Sequence, residues 1–336
     1  MTLMPKESAK LIASMSKNVF IEERGIEDLA HFIFERLKNS NVNVNIYSQE
    51  QFHPSPDDPK AVDWIFVLDT LNYSFWSKKD SSKWTVDGQT GYFALCAAIK
   101  RAVDEGVPIV DPNYYSHITR HDAERIFRSD NQTSIPLLDE RVKSLRDAGK
   151  ILLEKYRGTF TECIELCSGS AEKLLKLIVN EFESYQDEAD YKTYRVSFYK
   201  RAQILIGDIW VCFKGEGIGK FHDIDCITMF ADYRVPQVLR HFNAIRYDSL
   251  LLWRLTNDVE LENGTDDEIE IRGCSIEAVE RVKDRMRHLL ELCPVPGIQK
   301  NDINSIMIDH FLWDYRRKHA ADVEYIPIHK TRCIYY

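Results

Sequence analysis

Apolar residues recur at spacings of three and four through most of the chain, as in "IEDLAHFIFERLKN", "GYFALCAAIKRAVDEG", "LLDERVKSLRDAGKILLEKY", "YKRAQILIGDIWVCF", "SIEAVERVKDRMRHLLELC" and "INSIMIDHFLWDYRRKH". That period marks helices with one buried face. Side chains able to cap a helix start stand where several would begin: Ser170 or Ser168 ahead of Lys173, Ser275 ahead of Glu277, and Asp302 or Asn304 ahead of Ile306. Alternation of period two is scarce. "VDWIFVLDTLNYSFW" is expected to start extended, "KWTVDG" to pair with "GYF" across Asp87-Gly88, and "EIEIRG" to form a short strand. The expected fold class is mainly α, with a small β element.

No Pro/Gly/Ser-rich linker divides the chain, and no repeat of fixed period is present. The weakest joints are "SQEQFHPSPDDPK", "ESYQDEADYK" and the acidic "NDVELENGTDDE". The expectation is a single domain over residues 1–336. Its N-terminal part (about 1–150) would hold the β element and its remainder (about 151–336) a helical core.

Composition narrows the function classes. With 336 residues and 44% hydrophobic content the chain can bury a sizeable core. The net charge of −9 argues against a general nucleic-acid binder, which needs a basic face to release counterions. None of the eight cysteines forms a CxxC pair, and most lie in apolar stretches, as expected of reduced, buried thiols in a cytosolic protein. Cys163 and Cys167 are four apart, but no second pair completes a zinc site. The N-terminus lacks the apolar core of a signal peptide, and no run approaches the ~20 apolar residues needed to span a bilayer. A soluble cytoplasmic protein is expected, with the nucleus left open.

Four stretches could carry chemistry. In "MFADYRVPQVLRHF", Asp232 stands at the mouth of a helix beside Phe230, Tyr233 and Arg234. That company suits a pocket for an aromatic, partly cationic ligand. In "IDHFLWDY", Asp309 and Trp313, and likewise His310 and Asp314, are four apart, which groups two acids, an imidazole and an indole on one side of a helix. This is either solvated surface or a concave polar site. In "RVSFYKRAQIL", Lys200 and Arg201 open an apolar helix; there the free N–H groups and a cation would together attract a phosphate or carboxylate, the alternative being a surface lysine. In "FVLDTLNYSFW", Asp69, Thr70 and Asn72 interrupt an apolar run and need partners, either backbone or ligand. "KGEGIGK" lacks the spacing of a phosphate loop and is read as a turn.

Taken together, "VDWIFVLDTLNYSFW", "GYFALCAAIKRAVDEGVPI", "RVSFYKRAQIL", "ITMFADYRVPQVL", "EIEIRGCS", "NSIMIDHFLWDY" and the C-terminal "RCIYY" resemble the queuosine salvage protein family over nearly the whole chain. The resemblance implies a helical core like that of helix-hairpin-helix DNA glycosylases. It also implies cleavage of the N-glycosidic bond of queuosine 5′-monophosphate, a tRNA breakdown product, with release of the base queuine. Asp232 is then the catalytic carboxylate, and Phe230, Asp309, His310 and Asp314 contact the base. His53 is the nearest match to a further histidine of the family, and Lys200 is the choice for the 5′-phosphate, with Arg201 and Arg234 in reserve. No metal or organic cofactor is called for, since water completes the reaction. The partner is a small molecule, with no direct contact to nucleic acid or membrane. The alternatives are a nucleic-acid base-excision glycosylase and a non-catalytic queuine-binding protein.

Overall fold

A computed structural model describes residues 2–39 and 51–336. Most of these residues are helical, and the strands form three separate two-stranded antiparallel pairs. By their contacts the residues group into two compact units. Among the described residues, the first takes in 2–39, Asp187–Lys200 and Asp225–Arg332; the second takes in 51–186, Arg201–Ile224 and Cys333–Tyr336.

The first unit is built on the helix Asp266–Leu292, about 40 Å long at 1.5 Å per residue. Three acids, Asp266, Asp267 and Glu268, occupy its first turn, where the helix dipole favours negative charge. The helices Pro5–Met15 and Glu23–Lys38 lie against it. Contact with the first is close at Gly273, where an added Cβ would come within 2.7 Å of the Ile12 side chain. Ile12, Leu29, Ile33, Ile271, Val279 and Val282 share the core between these helices. Val19–Ile21 pairs with Ile245–Tyr247, and Glu188–Tyr191 forms a hairpin with Tyr194–Ser197.

"EIEIRG" is therefore helical, not a strand. Its alternation misleads because the charged positions are buried as thoroughly as the isoleucines, each acid or guanidinium having its own partner. For the same reason Ser275 lies inside the helix and caps nothing. The other two expected starts hold: the side chains of Ser170 and Asn304 accept the N–H groups of Lys173 and Met307, at 3.2 and 3.0 Å.

In the second unit "VDWIFVLDT" is also helical rather than extended, as Ala61–Thr70, with almost every side chain buried. The five apolar residues in a row, Trp64 to Leu68, do not distinguish a buried strand from a buried helix. Two buried guanidiniums donate to carbonyls at and just past its end. Arg141 donates to Leu71 and, at 2.5 Å, to Tyr73; Arg201 donates to Thr70 at 2.6 Å and to Ser184. Thr70 bonds the Tyr185 hydroxyl at 2.8 Å, and Asn72 donates to Asp69 at 3.2 Å. Thr70, Asn72 and one oxygen of Asp69 thus find hydrogen-bond partners within the protein. Asp87-Gly88 does close a hairpin, but onto Gln89–Thr90, because "GYF" opens the helix Tyr92–Asp104. Both turn residues have positive φ, 51° and 70°, as a two-residue hairpin turn requires.

Candidate active site

Asp232 lies in the first unit, just ahead of the short helix Val235–His241. Its Oδ1 accepts the N–H groups of Arg234 and Val235 at 2.8 and 2.9 Å, two of the donors a helix start leaves unpaired. Pro236, next in line, has no N–H to satisfy. The Asp232 N–H bonds the Phe230 carbonyl at 2.7 Å, which tightens the turn around Ala231. Backbone N–H groups hold the carboxylate through Oδ1, and Oδ2 takes part in none of these bonds.

Asp309 approaches from the helix Ser305–Lys318, whose start Asn304 caps. Its side chain is 4% exposed, and Oδ2 accepts the Phe230 N–H at 2.9 Å. Burial pushes its pKa well above the carboxylate range, and the nearby Asp232 charge pushes the same way. The Phe230 N–H and the Lys200 ammonium oppose them. Two acids and a lysine therefore share one small volume, and Asp309 is the acid inclined to keep its proton.

Lys200 opens the helix Lys200–Cys212 as expected, but it is no surface residue, being 5% exposed. Phe230 is buried, with its ring centroid 6.1 Å from the half-buried His310. Asp314 stands apart in character. Half-exposed, it forms an ion pair with Lys318 at 2.7 Å. Five residues on a helix turn through about 140°, so Asp309 and Asp314 point to different sides, one inward and one to the rim.

The structure brings Asp232, Phe230, Asp309, Lys200 and His310 into one neighbourhood, with Asp314 on the same helix as Asp309. His53 belongs to the second unit, where its Nε2 is 3.1 Å from the Tyr92 hydroxyl. Arg201 is committed to backbone carbonyls in that unit, which removes it as a phosphate ligand. Arg234 donates to Gln237 at 3.0 Å. Among the described residues no cluster of three or more His, Cys, Asp or Glu side chains is arranged to hold a metal ion.

Two buried residues of this region escaped the sequence reading, Asp187 and Arg272. Arg272 left one usable signal, a guanidinium that follows two glutamates in an alternation of charged and apolar residues. Asp187 left none, since "ESYQDEADYK" reads as a polar joint.

Comparison with known proteins bears on the whole chain. The profile of the queuosine salvage protein family matches residues 52–336. A queuosine 5′-phosphate N-glycosylase/hydrolase of Bos taurus is 45% identical, with 99% of each chain covered. Proteins of the same name from Mus musculus and Sphaerobacter thermophilus are 43% and 33% identical. The match covers 99% of both chains for the mouse protein, and 98% of this chain and 96% of the relative for the bacterial one. With a profile match over most of its length and relatives aligned nearly end to end, the chain belongs to the queuosine salvage protein family.

Proposed function

We propose that the chain hydrolyses the N-glycosidic bond of queuosine 5′-phosphate and releases queuine for salvage, the activity that its relatives' names carry. The observation that carries the reading to particular residues is the pair Asp232 and Asp309, an acid fixed by backbone N–H groups beside a buried acid inclined to hold a proton.

Breaking the bond sends its electron pair to the base and leaves positive charge on the sugar carbon C1′. A carboxylate held still beside C1′ stabilises that charge without reorganising. Asp232 has that role, its Oδ1 tied to the helix start and Oδ2 left to face the sugar. Water then adds to C1′, and the proton it gives up ends on the departing base, so that queuine leaves neutral. The departing 7-deazaguanine ring lacks N7, the usual protonation point of a purine, so its negative charge must be met elsewhere. Asp309 in its protonated form meets it with a hydrogen bond. Phe230 and His310 border the base, and the rim acid Asp314 pairs with its ammonium arm in place of Lys318. Lys200 takes the 5′-phosphate, and His53 is assigned to the base on the resemblance alone. The same resemblance supports a helix-hairpin-helix glycosylase-like core within about 151–336 and a cytoplasmic location.

Mass spectrometry after mixing the purified protein with queuosine 5′-phosphate tests the reading. Free queuine and ribose 5-phosphate in equal amounts are expected, with intact tRNA and duplex DNA untouched. Unchanged nucleotide, bound or free, would sink it.

A further inference from the structure

Asp232 and Lys200 arrive on different segments, yet the proposed reaction needs a fixed spacing between sugar carbon and phosphate. One guanidinium ties the two segments together. Arg272 Nε donates to the carbonyl of Ala231, the residue before Asp232, at 3.0 Å. Its Nη1 and Nη2 donate to the two oxygens of Asp187 at 2.8 and 2.5 Å. Asp187 Oδ2 in turn accepts the backbone N–H of Lys200 at 3.0 Å, and the Asp187 carbonyl accepts that of Phe198 at 3.0 Å. The corner so held is strained: Tyr199 has φ +48°, a left-handed conformation a tyrosine keeps only when its surroundings impose it. The Phe198 ring lies 4.1 Å from the guanidinium carbon, and Nη1 reaches a second acid, Glu268, at 3.3 Å. Arg272 is 1% exposed and Asp187 3%.

Burying an ion pair so completely is a poor route to stability, because desolvation offsets most of the attraction. What a two-pronged pair supplies is geometry. We infer that Arg272 and Asp187 are positioning residues that set the separation between Asp232 and Lys200, and thereby the preference for a phosphorylated over an unphosphorylated nucleoside. The inference rests on the roles proposed above for those two side chains.

The test is the ratio of kcat/KM for queuosine 5′-phosphate to kcat/KM for queuosine, measured in R272K and D187N. Lysine keeps the charge but not the fork, and asparagine keeps the shape but not the second acceptor. A misplacement near 1 Å costs up to about 100-fold, so a fall in the ratio of about tenfold or more is expected. Partial unfolding lowers both rates equally and leaves the ratio alone, which separates positioning from a merely structural role. D187N, closer in shape to the native residue, gives the reading even if R272K does not accumulate. Where K200A shifts the ratio, a wild-type ratio in D187N overturns the inference. A K200A control isolates the underlying assignment. If K200A keeps the wild-type ratio, the phosphate role of Lys200 falls, and the pair is judged on turnover by folded D187N. There a kcat about tenfold lower on both substrates supports it, and wild-type kcat overturns it.

Discussion

The Phe230 N–H donates to Asp309 Oδ2 at 2.9 Å, and through that bond the buried acid of one helix is fastened to the loop that carries Asp232. The two acids are thereby kept close enough for the charge of one to resist ionisation of the other. A protein folding for stability alone gains nothing from this arrangement. It is the sort of cost that a reactive site imposes on its own fold.

Asp309→Asn should therefore stabilise the protein while disabling it. Asparagine is neutral, can still accept the Phe230 N–H, and removes both the burial cost and the repulsion. Tm should rise by roughly 2 °C or more, while turnover of queuosine 5′-phosphate falls at least about a hundredfold, the low end for a lost acid catalyst. Differential scanning calorimetry beside initial rates checks both; a lower Tm would contradict the account of Asp309.

The raised pKa of Asp309 also fixes the sign of a pH effect. The folded state holds this proton at pH values where the unfolded chain has released it. The contribution of Asp309 to stability is thus complete below the ordinary carboxylate range and declines as pH climbs toward its folded pKa. Turnover, which uses the protonated form, should fall as pH rises through that same value. The corresponding limb should be missing from the residual activity of the Asn variant. A wild-type rate that only climbs across this range would reverse the assigned role.

Removing the Lys200 ammonium should discriminate between substrates. A charge-assisted hydrogen bond contributes about 1.5–3 kcal/mol, so Lys200→Ala should raise KM for the nucleotide about tenfold to a hundredfold and leave the nucleoside within a few-fold. Steady-state kinetics on the two compounds is sufficient, and equal losses for both would count against phosphate binding.

Gly273→Ala tests the packing that supports the site from a distance. The added methyl would meet Ile12 at 2.7 Å, in a fully buried position. Overpacking of this kind costs about 1–3 kcal/mol, readable as a lower urea midpoint. Turnover per folded molecule should stay at the wild-type level. Trimming the neighbour as well, in G273A/I12V, should recover part of the loss; no recovery would mean the clash is relieved elsewhere.

Much of this was legible in the order of residues, because the signals concerned are local. A helix start writes itself into the sequence when a side chain caps its own backbone, as Ser170 and Asn304 do. The position of Asp232 just before a helix was readable for the same reason. Two helices were mistaken for extended chain, Ala61–Thr70 and the start of Asp266–Leu292, because burial on all sides erases the period that tells helix from strand. The joint suspected at "ESYQDEADYK" does contain a boundary between the two units, at Gln186/Asp187. Nothing local announced that Asp187 would pair with Arg272, 85 positions away, since only the fold brings them together. The resemblance named candidate roles without showing that Asp309 is the buried acid and Asp314 the one at the rim.

The central claim is that the Asp232 carboxylate stabilises the cationic sugar, and single-turnover release of queuine by Asp232→Asn measures it most directly. The amide oxygen can still cap the helix, so Tm and affinity for free queuine should stay close to wild type. The rate constant should drop by a few hundredfold or more, equivalent to the ~3–4 kcal/mol lost with one preorganised electrostatic group. A rate within about tenfold of wild type, or less than about 1.4 kcal/mol, would contradict the account.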